Sequence, residues 1–96
     1  MRNYEVAYIA DPEIDEQSLA ALEEKVKGWG DAAGGKVEKV DRWGKRRLAY
    51  SIRKRNDGYY VFLQASLPNQ AGSAIERDLR LNEQILRFII TQQEVS

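Results

Sequence analysis

Nine consecutive residues, Tyr59 to Leu67, carry no charge, in a 96-residue chain of which 31% is Asp, Glu, Lys or Arg. The run alternates between an all-apolar set (Tyr59, Val61, Leu63, Ala65, Leu67) and a mixed set (Tyr60, Phe62, Gln64, Ser66). Period-two alternation in aromatic and branched residues marks a β-strand. A strand without charge suits the interior of a sheet, because edge strands carry charge to block pairing with other chains. A chain of this length buries only about two-thirds of the surface its unfolded form exposes. It therefore supports one thin core, and residues 1–96 read as a single domain.

Other elements arrange themselves around that strand. Residues 3–10 read as a strand with Tyr4, Val6 and Tyr8 on one face, ended by Asp11-Pro12. Asp15 is a good N-cap for a helix whose apolar stripe is Leu19, Leu22, Val26 and Trp29, with Gly28, Gly30, Gly34 and Gly35 marking its end. Residues 36–54 read as extended, with an interruption at Trp43-Gly44 that predicts a bend, bulge or bow. Leu48, Tyr50 and Ile52 alternate there like a buried set, so Tyr50 is either a packing residue or a stacking one. Asn56-Asp57-Gly58 is the predicted turn. A second helix spans about 70–80 with Ile75 and Leu79 inward, a last strand runs from Ile85 to Thr91, and residues 92–96 read as a mobile tail.

The order strand–helix–strand–strand–helix–strand is that of an α+β, ferredoxin-like domain: two split β-α-β units forming a four-stranded antiparallel sheet with both helices on one face. Right-handed crossovers put the third and first strands in the centre. The opposite face is bare. On the third strand it presents Tyr60 and Phe62; on the last strand, where Leu86, Phe88 and Ile90 form the covered set, it presents Arg87 and Ile89. Aromatic residues beside arginines on an open sheet suit base stacking or docking of a protein, and also occur with no binding role.

The formal net charge is zero, yet its distribution is uneven. Residues 1–34 sum to −5, residues 36–55 to +7 and residues 56–96 to −2. The central segment holds Lys36, Lys39, Arg42, Lys45, Arg46, Arg47, Arg53, Lys54 and Arg55 against Glu38 and Asp41. Such a ribbon fits a polyanionic partner; it also fits a solvated, aggregation-resistant edge. The chain has neither Cys nor His, which removes disulfides, thiol nucleophiles, the commonest general base and the commonest metal ligand. No apolar run reaches the roughly 18–20 residues of a membrane helix, and Glu5 interrupts any signal-like start, so a cytoplasmic protein is the expectation.

Gly44-Lys45-Arg46-Arg47-Leu48-Ala49-Tyr50-Ser51-Ile52-Arg53 resembles the signature of the bacterial small-subunit (30S) ribosomal protein six family, in which a glycine and basic residues lead into Leu-Ala-Tyr-x-Ile. The similarity extends to Met1-Arg2-Asn3-Tyr4-Glu5, Lys36-Val37-Glu38-Lys39-Val40-Asp41, Gly58-Tyr59-Tyr60-Val61-Phe62 and Leu79-Arg80-Leu81-Asn82. The resemblance implies a ferredoxin-like structural constituent of the small ribosomal subunit. It implies binding to the central domain of small-subunit ribosomal RNA together with small-subunit protein eighteen. It implies no catalysis, cofactor, metal, membrane or small-molecule substrate. Because the chain stops five residues past Thr91, the sheet rather than a tail is expected to carry the protein interface.

Arg46 and Arg47, adjacent in an extended strand, point to opposite sides, and arginine forks onto phosphate oxygens. The RNA-binding candidates are thus Arg46 and Arg47, with Lys45, Arg53 and Lys54 beside them and Arg2 and Arg87 extending the surface from strands read as outer ones. Tyr60, Phe62 and Ile89 are the candidate partner-protein interface. Three rival functions fit less well. Acyl-phosphate hydrolysis needs an anion cradle after the first strand, where this chain has Ala10-Asp11-Pro12-Glu13. A small-molecule regulatory module of this fold uses a glycine in that loop, which is missing. An unrelated RNA-binding module would share the charge pattern but not the signature.

Overall fold

The uncharged run forms the centre of the sheet. The computed structural model describes residues 2–68 and 71–93. They form β1 (Arg2–Ala10), α1 (Glu16–Ala32), β2 (Lys36–Ile52), β3 (Arg55–Leu67), α2 (Ala71–Leu81) and β4 (Ile85–Gln93). The sheet is antiparallel in the order β2-β3-β1-β4, so the third and first strands are central as expected. Val6 pairs with Leu63 on one side and Ile90 on the other. The core lies between this sheet and the helices: Tyr4, Val6, Tyr8, Ala10, Val61, Leu63, Ala65 and Leu67 meet Leu19, Leu22, Val26, Ile75 and Leu79, with Trp29, Phe88 and Ile90 packed at its margin. Each buried aliphatic side chain of this kind contributes about 1.5–3 kcal/mol.

Asp15 caps α1. Its carboxylate accepts the Ser18 amide at 2.6 Å, and that bond holds the Asp15 carboxyl below its usual range. The helix continues through Gly28 and Gly30, beyond the end its glycines suggest. Its stripe still meets the core there: Trp29 packs inward, and Val37 of β2 approaches Gly30 closely.

Two expectations are corrected at the strand ends. The β2–β3 turn lies at Arg53-Lys54, not at Asn56-Asp57-Gly58, and Ile52 pairs with Arg55 across it. A two-residue hairpin loop needs left-handed backbone, and Arg53 (φ 50°) and Lys54 (φ 66°) adopt it. Gly58 instead serves a close approach inside β3: a Cβ there would lie 2.2 Å from Ile9 Cγ2. At the other terminus β4 does not stop at Thr91. Gln92 and Gln93 pair with Tyr4 and Asn3, because β1 begins early enough to supply their backbone partners. Residues 94–96 of the expected tail lie outside the described residues.

Tyr8 is 1% exposed, and its hydroxyl has no hydrogen-bond partner among the described residues. Burial pushes its ionisation well above the usual range; Glu23 adds to that and Arg42 opposes it. A buried hydroxyl without a partner carries a desolvation cost. Tyr8→Phe should therefore leave stability unchanged or raise it by up to about 1 kcal/mol in a urea melt; a loss of 2 kcal/mol or more would mean the hydroxyl is satisfied. Replacing Arg53-Lys54 by Asn-Gly removes two left-handed long side chains and should stabilise the protein by about 1 kcal/mol in the same assay, whereas destabilisation would contradict the turn assignment.

Candidate functional site

The arrangement of the basic segment beyond Arg42 starts from a bulge at Trp43. Arg42 pairs with Val61 and Gly44 with Tyr60, so Trp43 is an extra residue in β2, and Gly44 takes up the left-handed backbone (φ 85°). Inserting one residue into a strand inverts which side every later side chain faces. Before the bulge, Arg42 lies on the helix side: its Nε and Nη2 fork onto Glu23 of α1 at 3.0 and 2.5 Å, and its Nη1 reaches Glu16 at 2.5 Å. These carboxylates, Glu23 foremost, hold the Arg42 guanidinium still more firmly protonated than usual. After the bulge, Arg46 and Leu48 lie on the opposite, open side. The Arg46 guanidinium sits 5.7 Å from the Trp43 ring, and Trp43 stacks at a tilt on Phe62, with ring centroids 4.5 Å apart.

Beyond Arg47 the register shifts again, and the β2–β3 arm bows across the open face. Leu48 is buried beside Ile9 and Tyr60. Tyr50 is not a core residue. It is 61% exposed and accepts a hydrogen bond from Arg87 of β4, whose guanidinium lies 5.9 Å from the Tyr50 ring. The buried alternation read from Leu48, Tyr50 and Ile52 holds only for Leu48 and partly for Ile52, because the bulge turned the set away from the helices. The arm is tied down at its tip. Arg53 donates to the Glu83 carbonyl at 3.3 Å, and Arg55 pairs with Asp11 at 3.4 Å and Glu13 at 3.1 Å.

The ribbon of nine cations is thus divided. Arg42 and Arg55 join β2 and β3 to the acidic N-terminal third, and Lys39 pairs with Asp41 at 3.6 Å. Among the described residues Lys36, Lys45, Arg46, Arg47, Arg53 and Lys54 make no ion pair, and all are exposed. Arg46 and Arg47 face opposite sides, as expected, opposite Gly58 and Asp57. Arg87 joins the arm through Tyr50. Arg2 does not: it begins β1, an inner strand, opposite Leu67, and lies about 23 Å along that strand from Ile9, the partner of Arg87.

On the open face Tyr60 and Phe62 line an apolar hollow of about 170 Å³ with Ala7, Ile9 and Ile89, bordered by Arg87. Ile89 is 57% and Trp43 53% exposed. The three partner-interface candidates therefore share one surface, with Arg46 and Arg87 beside it. Trp43 belongs to this surface and was missed: in sequence it reads as an interruption, although an arginine three residues on from a tryptophan across a glycine is the pattern of its cation–π contact. Chemically, the arrangement offers guanidinium forks for oxyanions and flat apolar rings for packing or stacking.

Comparison with known proteins agrees with this architecture. A family model described as Ribosomal protein S6 matches residues 3–92. The chain is 43% identical over 93 residues to the small ribosomal subunit protein bS6 of Desulforamulus reducens, covering 97% of this chain and 98% of that protein. It is 40% identical over 94 residues to bS6 of Clostridium novyi, covering 98% and 99%. The crystal structure of 30S ribosomal protein S6 from Thermotoga maritima superposes with a TM-score of 0.90 at 31% identity, covering 96% of this chain and 87% of that one. The P2 domain of the chemotaxis kinase CheA from a thermophile, at 15% identity and a TM-score of 0.64, shares the fold alone.

Proposed function

The chain belongs to the ribosomal protein S6 family, whose members are structural, non-enzymatic constituents of the small subunit of the cytoplasmic ribosome, and from that membership we propose that it binds the central domain of small-subunit ribosomal RNA together with small-subunit protein eighteen. The observation that carries this reading is the division of the basic ribbon. The ribbon cations that pair with no carboxylate among the described residues are Lys36 at the start of β2 and the five of the arm from Lys45 to Lys54, which lie together. A guanidinium left in water beside a phosphate gains two parallel hydrogen bonds and releases counterions, so each contact adds salt-dependent affinity.

Arg46 and Arg47 carry the directional part of that contact, with Lys45, Arg53, Lys54 and Arg87 supplying further attraction. Arg2, at the far end of β1, reaches a separate part of the RNA or none. The partner protein docks on the open face against Tyr60, Phe62 and Ile89. Support comes from the exposure of Ile89 and Trp43 on the same open face as a largely apolar hollow, since large apolar residues grouped on a small domain mark an interaction surface. Structured RNA is read largely by its shape and backbone, which suits a surface of arginines held on a rigid hairpin.

Changing Arg46 and Arg47 together to alanine should weaken RNA binding by about 2–4 kcal/mol and leave unfolding within about 0.5 kcal/mol of the parent. Filter binding with protein eighteen present checks this; unchanged affinity with an unchanged salt slope would reject these residues. Ile89→Ala should lower co-purification with protein eighteen about tenfold or more while costing about 1 kcal/mol or less in stability. Retention of full association would move the protein interface off this face.

A further inference from the structure

Three arginines from distant parts of the chain line one cavity of about 360 Å³ at the β4 edge: Arg53 from the hairpin turn, Arg80 from the last turn of α2 and Arg87 from β4. Its floor is apolar, made by Leu79, Ile85, Leu86 and Phe88. Glu76 is the one carboxylate in the lining, and it is already paired with Arg80 at 2.8 Å. Among the described residues Arg53 and Arg87 make no ion pair; they donate to neutral oxygens, the Glu83 carbonyl and the Tyr50 hydroxyl. The lining therefore carries a net charge of +2, and each guanidinium has most of its five N–H donors unspent.

Three cations against the single carboxylate of Glu76 leave the cavity attractive to a further anion. The backbone gives a second, independent indication. The turn that delivers Arg53 holds two long cationic residues in left-handed conformation, where asparagine and glycine would sit without strain. Arg46 and Arg47 do not line this cavity, so it gathers Arg53 and Arg87 of the cationic surface with Arg80 of α2 into a separate pocket at the β4 edge.

We propose that the cavity is a single-phosphate site, in which Arg53, Arg80 and Arg87 together grip one phosphodiester of RNA while the apolar floor packs against the adjoining sugar or base. This rests on the RNA-binding reading above. Sharing one phosphate has a signature that three scattered contacts lack. Removing a second arginine from a site already broken costs little more, and the salt slope falls by one phosphate only.

The test is binding of the central-domain RNA fragment, with protein eighteen present, by Arg80→Gln, Arg87→Gln and the double variant across a range of salt. Each single change should weaken binding about tenfold. The double variant should be weaker than the poorer single by less than threefold, with log affinity against log salt less steep by about 0.9. Arg80→Gln combined with Arg46→Gln should instead multiply. Wild-type affinity for both single variants, or multiplying effects with a slope lower by about two units, overturns the cavity and leaves the RNA reading standing. Failure of the parent protein to bind the RNA overturns that reading instead. The cavity is then judged alone, by titrating the protein with inorganic phosphate and following the arginine Nε–H signals. Joint movement of Arg53, Arg80 and Arg87 on one saturating curve supports a phosphate site, and stationary signals reject it.

Discussion

One extra residue in β2 decides what this protein presents to its surroundings. Upstream of Trp43 the strand turns Arg42 towards α1; downstream it turns Arg46 and Leu48 to the uncovered face. Without the bulge, Arg46, Leu48, Tyr50 and Ile52 would point towards the helices, where no space remains in a core already filled by Leu19, Leu22, Ile75 and Leu79. Gly44 makes the bulge affordable, since its positive φ is a conformation that other residues resist, and a Cβ there would meet nothing. The packing of Trp43 and Arg46 against Phe62 and the reach of Tyr50 to Arg87 descend from that local geometry.

The same inversion sorts the arginines by task. Arg42, on the helix side before the bulge, and Arg55, just past the hairpin turn, meet the acids of the N-terminal third. Arg42 forks onto Glu23, and Arg55 bridges Asp11 and Glu13, so the −5 and +7 segments are drawn together across the fold. Pairs of this sort, partly covered yet still reached by water, are each worth about 1 kcal/mol, so their main service is to fix where the strand and arm lie. The rest keep their charge towards water. A neutral chain thereby keeps a cationic surface without a large penalty of self-repulsion in the folded state.

Much of this was legible in the sequence. The alternation from Tyr59 to Leu67 and the stripe from Leu19 to Trp29 depend only on burial against a near neighbour, and both faces came out as read. The Asp15 cap is a contact over three residues, within the range at which sequence speaks clearly. The misreadings share a cause. Asn56-Asp57-Gly58 has turn chemistry, but Gly58 is demanded by Ile9, a residue forty-nine positions away, and the turn fell on two cations that no local rule selects. Tyr50 was misplaced because a bulge seven residues earlier reset the alternation. Arg2 was set on an outer strand although the element order itself makes β1 an inner one. Arg80 gained meaning only when the fold carried the hairpin tip to α2.

The central claim is that the arm beyond Trp43 faces away from the helices, and methyl NOE spectroscopy of protein labelled at Ile and Leu tests it most directly. The account predicts strong cross-peaks between the Leu48 methyls and the Ile9 γ2 methyl, with none to Leu19, Leu22 or Leu79. Cross-peaks from Leu48 to those helix residues, with none to Ile9, would show a strand without the inversion and would contradict the assignment of both faces.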